Sequence, residues 1–349
     1  MQHEPALQHA GCVSLSVVIV SWNGRRYLPE CLDALLPQLP ADAEVIVVDN
    51  GSTDGTLEWT RAAYPAVRLI GLCENLGFAG GVNAGLRAAR GALLLLLNND
   101  AFVEPGFVAA LCEVMQQRGE IGAASAVLTF AHQPQIVASA GIRVRRDGLA
   151  LDLWAGRHIA ELPGTPQEIM GPSGGAALYR RALLEDVGLL EPGFFNYLED
   201  VDLAWRALLR GWRSVVVPQA RARHVYSATA GQGSPFKQRL LGRNRLRVIV
   251  RCMPAALLLR GLPSIIAYDL LAMVYGLFTR QPAIIAGRIA ALRELPTLLR
   301  ERRGIQAHRR APLGAIRRWL EPIALPWNVL REQRGLEAIL RERAGIRRS

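Results

Sequence analysis

Residues 92–105, ALLLLLNNDAFVEP, decide how the rest of the chain is read. Six successive Ala and Leu residues with no polar alternation read as a strand buried on both faces, as at the centre of a parallel sheet. The run stops at Asn98, Asn99 and Asp100, and a proline follows at position 105. Those polar side chains therefore stand at the strand's carboxyl end, the edge where open α/β sheets bind ligands. An exposed carboxylate there can hold a divalent cation through hard oxygen contacts. A polar turn closing a core strand accounts equally well for the same residues taken alone.

The segments on the amino-terminal side repeat the pattern. Residues 15–20 (LSVVIV) read as a first buried strand broken by Ser21, Trp22, Asn23 and Gly24, with a helix over 25–39. Residues 44–48 (EVIVV) read as a second strand, ending on Asp49, Asn50, Gly51, Ser52, Thr53 and Asp54, a loop rich in turn and N-cap residues. A third strand is expected at 67–72, and 74–85 (ENLGFAGGVNAG) opens another helix. Strands alternating with helices mean βαβ units and a mostly parallel α/β sheet.

The turn after the first strand is SWNGRR rather than GxGxxG, and GFAGG comes too late, which argues against a nicotinamide or flavin enzyme. The strand ends instead carry Ser21, Asn23, Asp49, Asn99 and Asp100. That set suits a single nucleotide, with one carboxylate for a base or ribose and another for a metal.

With 349 residues, half of them hydrophobic, the chain can form one large domain with an appendage or two ordinary domains. Cys12, Cys31, Cys73, Cys112 and Cys252 are odd in number, scattered and without a CxxC pair, so neither a disulfide framework nor a zinc site is expected. The start, MQHEPALQHAG, has no basic segment leading into a long apolar one, and no secretory signal is expected. Charge is uneven. Residues 237–349 hold 23 of the 41 basic and 7 of the 30 acidic residues, a block suited to nucleic acid or an anionic membrane surface.

The second half carries its acids in GPSGGAALYRRALLEDVGLLEPGFFNYLEDVDLAWRALLRGW, from residue 171. Pro172, Gly174 and Gly175 form a loop where backbone can approach a ligand closely, and 176–179 reads as a strand. Glu199, Asp200 and Asp202 open a helix, where acids ordinarily complement the helix dipole for about 0.3–1 kcal/mol each. Beyond a strand at 215–217 comes RARHVYSATAG, whose lone His224 reads as structural on spacing alone. In KQRLLGRNRLRVIVR, the residues Lys237, Arg243 and Arg245 could close over phosphate or form a solvated face. Residues 262–279 are apolar but contain Asp269, and favour helices lying in a membrane interface over a true span. Prolines at 254, 263, 282, 296, 312, 322 and 326 break the tail into short helices with no compact core of their own.

The succession SVVIVSWNGRRYL, EVIVVDNGSTDGT, ENLGFAGGVNAG, LLLLNNDAFVEP and FFNYLEDVDLAWR resembles a family 2 glycosyltransferase of the GT-A fold, in particular the bacterial rhamnosyltransferase-like branch. The resemblance implies a GT-A domain over 14–235, between an N-terminal tail (1–13) and a basic, helical, membrane-associating region (236–349). It implies donor contacts by Val20, Ser21, Asn23, Asp49, Asn75, Gly77, Asn99, Gly174 and Gly175, with Asp49 at the nucleobase and Asn99 near the ribose. Asp100 takes the metal-ligand place of a DxD-type motif, whose first aspartate is here Asn98, and His224 helps hold the metal. Asp200 takes the place of the general base, with Glu199 and Asp202 shaping its pKa, and Lys237 and Arg243 are phosphate candidates.

The expected activity is therefore metal-dependent (Mg²⁺ or Mn²⁺), inverting transfer from a nucleotide sugar. The donor is dTDP-rhamnose first and a UDP-hexose second, and the acceptor a cell-surface glycan or lipid-linked glycan at the inner face of the cell membrane. A cytoplasmic, peripheral protein on an anionic membrane surface follows, and no nucleic acid is expected. A nucleic-acid binder using the arginines and a catalytically silent protein of the same fold are the other classes.

Overall fold

The computed structural model describes residues 15–225, 233–323 and 335, so the expected tail at 1–13 lies outside the described residues. The first half runs β1 (Leu15–Ser21), α1 (Leu28–Leu35), β2 (Glu44–Asp49), α2 (Thr56–Ala63), β3 (Arg68–Gly71), α3 (Gly77–Ala88) and β4 (Leu93–Asn98). These strands are parallel in the order β4-β1-β2-β3. The absence of polar alternation in β4 has a direct cause: Leu93, Leu95 and Leu97 enter the core on one face of the sheet, while Leu94 and Leu96 enter the core on the other. The helix expected over 25–39 is shorter, because Pro37, which cannot donate a backbone hydrogen bond, falls in a 3₁₀ turn after Leu35.

The chain continues through β5 (Ala101–Val103), α4 (Phe107–Gln117), β6 (Ile121–Phe130), β7 (Gln133–Ser139), β8 (Ile142–Arg145), β9 (Ala150–Asp152), β10 (Gln167–Ile169), β11 (Ala176–Arg180), α5 (Arg181–Val187), α6 (Glu199–Arg210) and β12 (Arg213–His224). The sheet becomes mixed: β11 lies antiparallel between β4 and β6, and β12 runs parallel to β6. This topology gathers the amino end of β11 and the carboxyl ends of β1, β2, β4 and β12 along one edge.

The described part of the tail forms α7 (Pro235–Cys252), α8 (Ala255–Phe278), α9 (Pro282–Arg293), α10 (Leu295–Ala307), α11 (Leu313–Arg317) and β13 (Leu320–Glu321), which pairs with β8. Its apolar residues share a core with the sheet-bearing half: Val248, Ile249, Met253 and Leu257 pack with Phe194, Val201 and Trp205. Pro263 lies inside α8, which is long and apolar enough to cross a membrane and has a mean hydropathy of 1.6 over its most apolar window.

The arginines of α7 depart from the expectation of a solvated or phosphate-facing row. Arg245, Arg247 and Arg251 are buried. Arg245 and Arg288 both pair with Asp269, at 2.5 and 3.0 Å, which explains how an acid sits within the apolar α8. Arg247 pairs with Glu294 and Arg251 with Glu301. Arg251 also reaches Asp202 of α6 at 2.9 Å, and Arg206 reaches the same carboxylate at 2.7 Å. Burial opposes ionisation of Asp202, but Arg206 and Arg251 overcome it and hold the carboxyl below its usual range. Removing one partner of a buried pair strands the other charge and costs about 3–5 kcal/mol. Arg251→Ala is therefore expected to lose about that much stability in urea denaturation at neutral pH. Because the folded pKa of Asp202 is depressed, the penalty is full above about pH 4 and shrinks as pH falls through the folded value; a penalty independent of pH would contradict this pairing.

Candidate active site

A single cleft of about 1690 Å³ lies along the shared strand edge and is lined, among others, by Asn50, Asn98, Asn99, Asp100, Glu199, Asp200 and His224. At the end of β4, Asp100 Oδ1 and His224 Nε2 are 3.0 Å apart, and Asn98 Nδ2 lies 3.3 Å from the same ring nitrogen. Register explains the meeting of residues so distant in sequence: β12 pairs Ala101 of β5 with His224, while Gly175 accepts from the Asn98 N–H at 3.0 Å. Among the described residues, no group of three or more His, Cys, Asp or Glu forms a closed metal cage. Asp100 and His224 nevertheless fit a cation that keeps part of its shell for phosphate oxygens and water, as Mg²⁺ does with nucleotides. The Asn98 Oδ1, buried without a hydrogen-bond partner, is consistent with a polar occupant there.

Asp200, in the first turn of α6, lines the same cleft. It accepts from the Gly174 N–H at 2.9 Å and from the Val201 N–H at 2.8 Å. Burial pushes its carboxyl up to about 6, opposed by those two donors and assisted by the Asp152 carboxylate. Glu199 is pushed well above the usual range, by burial first and then by Asp200. The two carboxyls therefore retain a proton to higher pH than solvated acids do.

The loop presenting Asp200 is strained. Phe195, Tyr197 and Leu198 have φ of 64°, 69° and 66°, a region costly for residues with side chains and concentrated at functional sites. Asn244 of α7 holds this loop, donating from Nδ2 to the carbonyls of Phe194, Asn196 and Tyr197 at 3.0, 2.9 and 2.7 Å. Gly77 supports it from the other side: its φ is +72°, and a Cβ there would strike the Phe195 backbone and ring.

The remaining expected residues divide. Val20, Asn75, Gly77, Asn99, Gly174, Gly175 and Lys237 line the cleft. Lys237 lies over the Tyr197 ring at 5.3 Å, and burial lowers its pKa. Ser21 is buried and accepts from Asn99 Nδ2 at 3.1 Å, so it positions Asn99. Asn23 accepts from the Thr53 N–H at 2.8 Å and ties two loops together. Asp49 is buried and not among the lining residues, its Oδ2 accepting from the Ser52 N–H at 3.1 Å and its Oδ1 without a hydrogen-bond partner, while Asn50 lines the cleft. Asp202 points away into its pair of arginines instead of shaping the cleft. Arg243 is not among the residues lining the cleft and donates to the carbonyls of Gly193 and Phe194 at 2.7 and 3.0 Å. Sequence reasoning missed Asn244 and the half-exposed Trp22 of the cleft wall. An aromatic directly after a buried strand was the available signal for Trp22, whereas one asparagine in an arginine-rich helix offered none.

The sequence profile described as Glycosyl transferase family 2 matches residues 16–188. An N-acetylglucosaminyl-diphospho-decaprenol L-rhamnosyltransferase of Mycobacterium tuberculosis is 27% identical over 240 residues, covering 62% of this chain and 78% of that protein. Among solved structures, GalNAc-T7 with UDP, GalNAc and Mn²⁺ superposes with a TM-score of 0.56 at 19% identity, covering 70% of this chain and 48% of that one. This chain thus spans about half of GalNAc-T7. TarS of S. aureus in complex with UDP-GlcNAc gives 0.52 at 18% identity, covering 84% and 90%. At such identities the structural likeness concerns the fold, which is GT-A-like.

The raised pKa of Asp200 carries a stability consequence. Its contribution is full below about pH 4, where the carboxyl is protonated in both folded and unfolded chains, and is lost as pH rises through about 6. Asp200→Asn is expected to gain roughly 2 kcal/mol over the wild type between pH 4 and pH 8 in urea denaturation. A difference that does not vary with pH would contradict the buried, proton-retaining carboxyl.

Proposed function

We propose that this chain, which belongs to glycosyl transferase family 2 and to its rhamnosyltransferase-like branch, moves a sugar from a nucleotide donor to an acceptor hydroxyl with inversion of the anomeric carbon. The observation that carries the reading is the placement of Asp100 with His224 and of Asp200 on one cleft. Asp200 takes the proton of the acceptor hydroxyl as it attacks, because an alcohol is a poor nucleophile until that proton begins to leave. Its carboxyl, at about 6, is ionised at neutral pH yet basic enough to serve. Asp100 and His224 would hold a Mg²⁺ or Mn²⁺ ion, which when bound neutralises charge on the departing nucleoside diphosphate. Asn50, Asn75 and Asn99 orient the nucleotide, and Gly174 and Gly175 leave room for the sugar. Direct displacement needs one base and one stabilised leaving group, with no sugar-enzyme intermediate.

The favoured donor is dTDP-rhamnose, with a UDP-hexose as the second reading, since a relative is a rhamnosyltransferase and the structural neighbour TarS was solved with UDP-GlcNAc. The favoured acceptor is a lipid-linked or cell-surface glycan, in keeping with the diphospho-decaprenol of that relative's name. A peripheral place on the inner face of the cell membrane is supported by α8, whose Leu270, Leu271, Leu277 and Phe278 are exposed.

A transfer assay across a panel of nucleotide sugars with Mn²⁺ or Mg²⁺ is expected to select one donor. Turnover should rise with pH to a plateau above about 6, and Asp200→Asn should lower kcat by about 10²–10⁴; full turnover in that variant would refute the base assignment. The protein is also expected to sediment with anionic vesicles and to release as salt rises. Failure to sediment with either anionic or neutral vesicles would contradict the membrane placement.

A further inference from the structure

We propose that the part of the cleft walled by α7, α8 and α9 is the seat for the polyisoprenyl chain of the acceptor, an inference that rests on the lipid-linked acceptor reading. The cleft is larger than a donor needs. Pockets for single small ligands run to about 300–1,000 Å³, against about 1690 Å³ here. The nucleotide end is polar, with Asn50, Asn75 and Asn99. The other end is walled by Leu241 of α7, Tyr268, Ala272 and Tyr275 of α8 and Ile284 of α9, with Gln238, Gln281, Arg245 and Arg288 also on its lining, the two guanidinium groups being already paired with Asp269. A nucleotide sugar has no group for such a wall, whereas an isoprenoid chain gains about 25 cal/mol for each Å² of apolar surface withdrawn from water.

Helix geometry joins this wall to the outside. Tyr268, Ala272 and Tyr275 recur at i, i+4 and i+7, so they share one face of α8. The turns beyond present Leu270, Val274, Leu277 and Phe278 outward, and Tyr275, 54% exposed, stands at the junction of the two faces. A chain leaving the cleft past Tyr275 therefore meets apolar side chains before water. Charge agrees with an anionic lipid. Every acid of α8, α9 and α10 and of the short turns joining them, namely Asp269, Glu294 and Glu301, is engaged by Arg245, Arg247, Arg251 or Arg288. Arg260, Arg280, Arg293, Arg300 and Arg303 remain on the surface of the same helices. Asp200 lines the same continuous cleft, so a diphosphate-linked sugar could reach the base while its chain stays in the wall.

The test compares decaprenyl phosphate with geranyl phosphate binding to the full-length protein in detergent by titration calorimetry. The expected result is about tenfold or greater preference for the long chain. Ala272→Trp and Ile284→Trp, which fill the wall from different helices, should each remove most of that preference while donor affinity stays at the wild-type value. Leu299→Ser, exposed on α10 and off both the cleft lining and this path, should keep it. Equal affinity for the two phosphates, a preference that survives both tryptophan variants, or an equal loss in Leu299→Ser overturns the proposal. Transfer to a soluble glycan acceptor in the wild type separates the two claims: its absence with every donor counts against sugar transfer, and its presence beside equal affinities counts against the lipid seat alone.

Discussion

The contact between Asp100 and His224 is the constraint on which the site depends. Their side chains come within 3.0 Å, although more than a hundred residues of chain separate them, and both are buried. Neither could be held there by local structure. The contact needs β4 at the centre of the sheet, β11 inserted antiparallel beside it, and β12 brought back along β6 so that its last residue arrives at the end of β4. The same insertion of β11 sets Gly174 against Asp200. One topological choice thus sets both the Asp100–His224 contact and the Gly174–Asp200 contact on the same cleft.

The tail completes this site. Asn244 fixes the carbonyls of a loop held in left-handed conformations, and Arg243 shares the Phe194 carbonyl with it and takes that of Gly193 as well. Arg251 neutralises Asp202 in α6, whose first turn carries Asp200. Strain of order 1–3 kcal/mol per residue persists only where surrounding structure over-determines it, and α7 supplies that determination. The distribution of charge follows: acids are drawn inward by buried guanidinium groups, and the remaining arginines are left on a surface that also exposes leucine and phenylalanine.

Much of the catalytic half was legible in the sequence, because its signals are local. Uninterrupted apolar runs marked β1, β2 and β4, and the polar residues closing them marked the ligand edge. That Asp100, Asp200 and His224 would line one cleft was legible through motif order. The arginines of α7 were not. Their partners, Asp202, Asp269, Glu294 and Glu301, lie about 20–50 residues away in sequence, so a count of local charge reads a buried network as a basic surface. Asp202 misled for the same reason: three acids within four residues suggest one cluster, yet a helix turns Asp202 toward Arg206 one turn later. Asp49 ends its strand buried, with Asn50 rather than Asp49 on the cleft lining, a difference of one position that the strand pattern alone does not resolve.

The division of labour across the cleft is tested most directly by electron paramagnetic resonance of Mn²⁺ titrated into the protein in the presence of a nucleoside diphosphate. The account predicts a bound-metal signal in the wild type and in Asp200→Asn, and its loss in both Asp100→Ala and His224→Ala. A signal that persists unchanged in Asp100→Ala and His224→Ala, or one that disappears in Asp200→Asn alone, would contradict it.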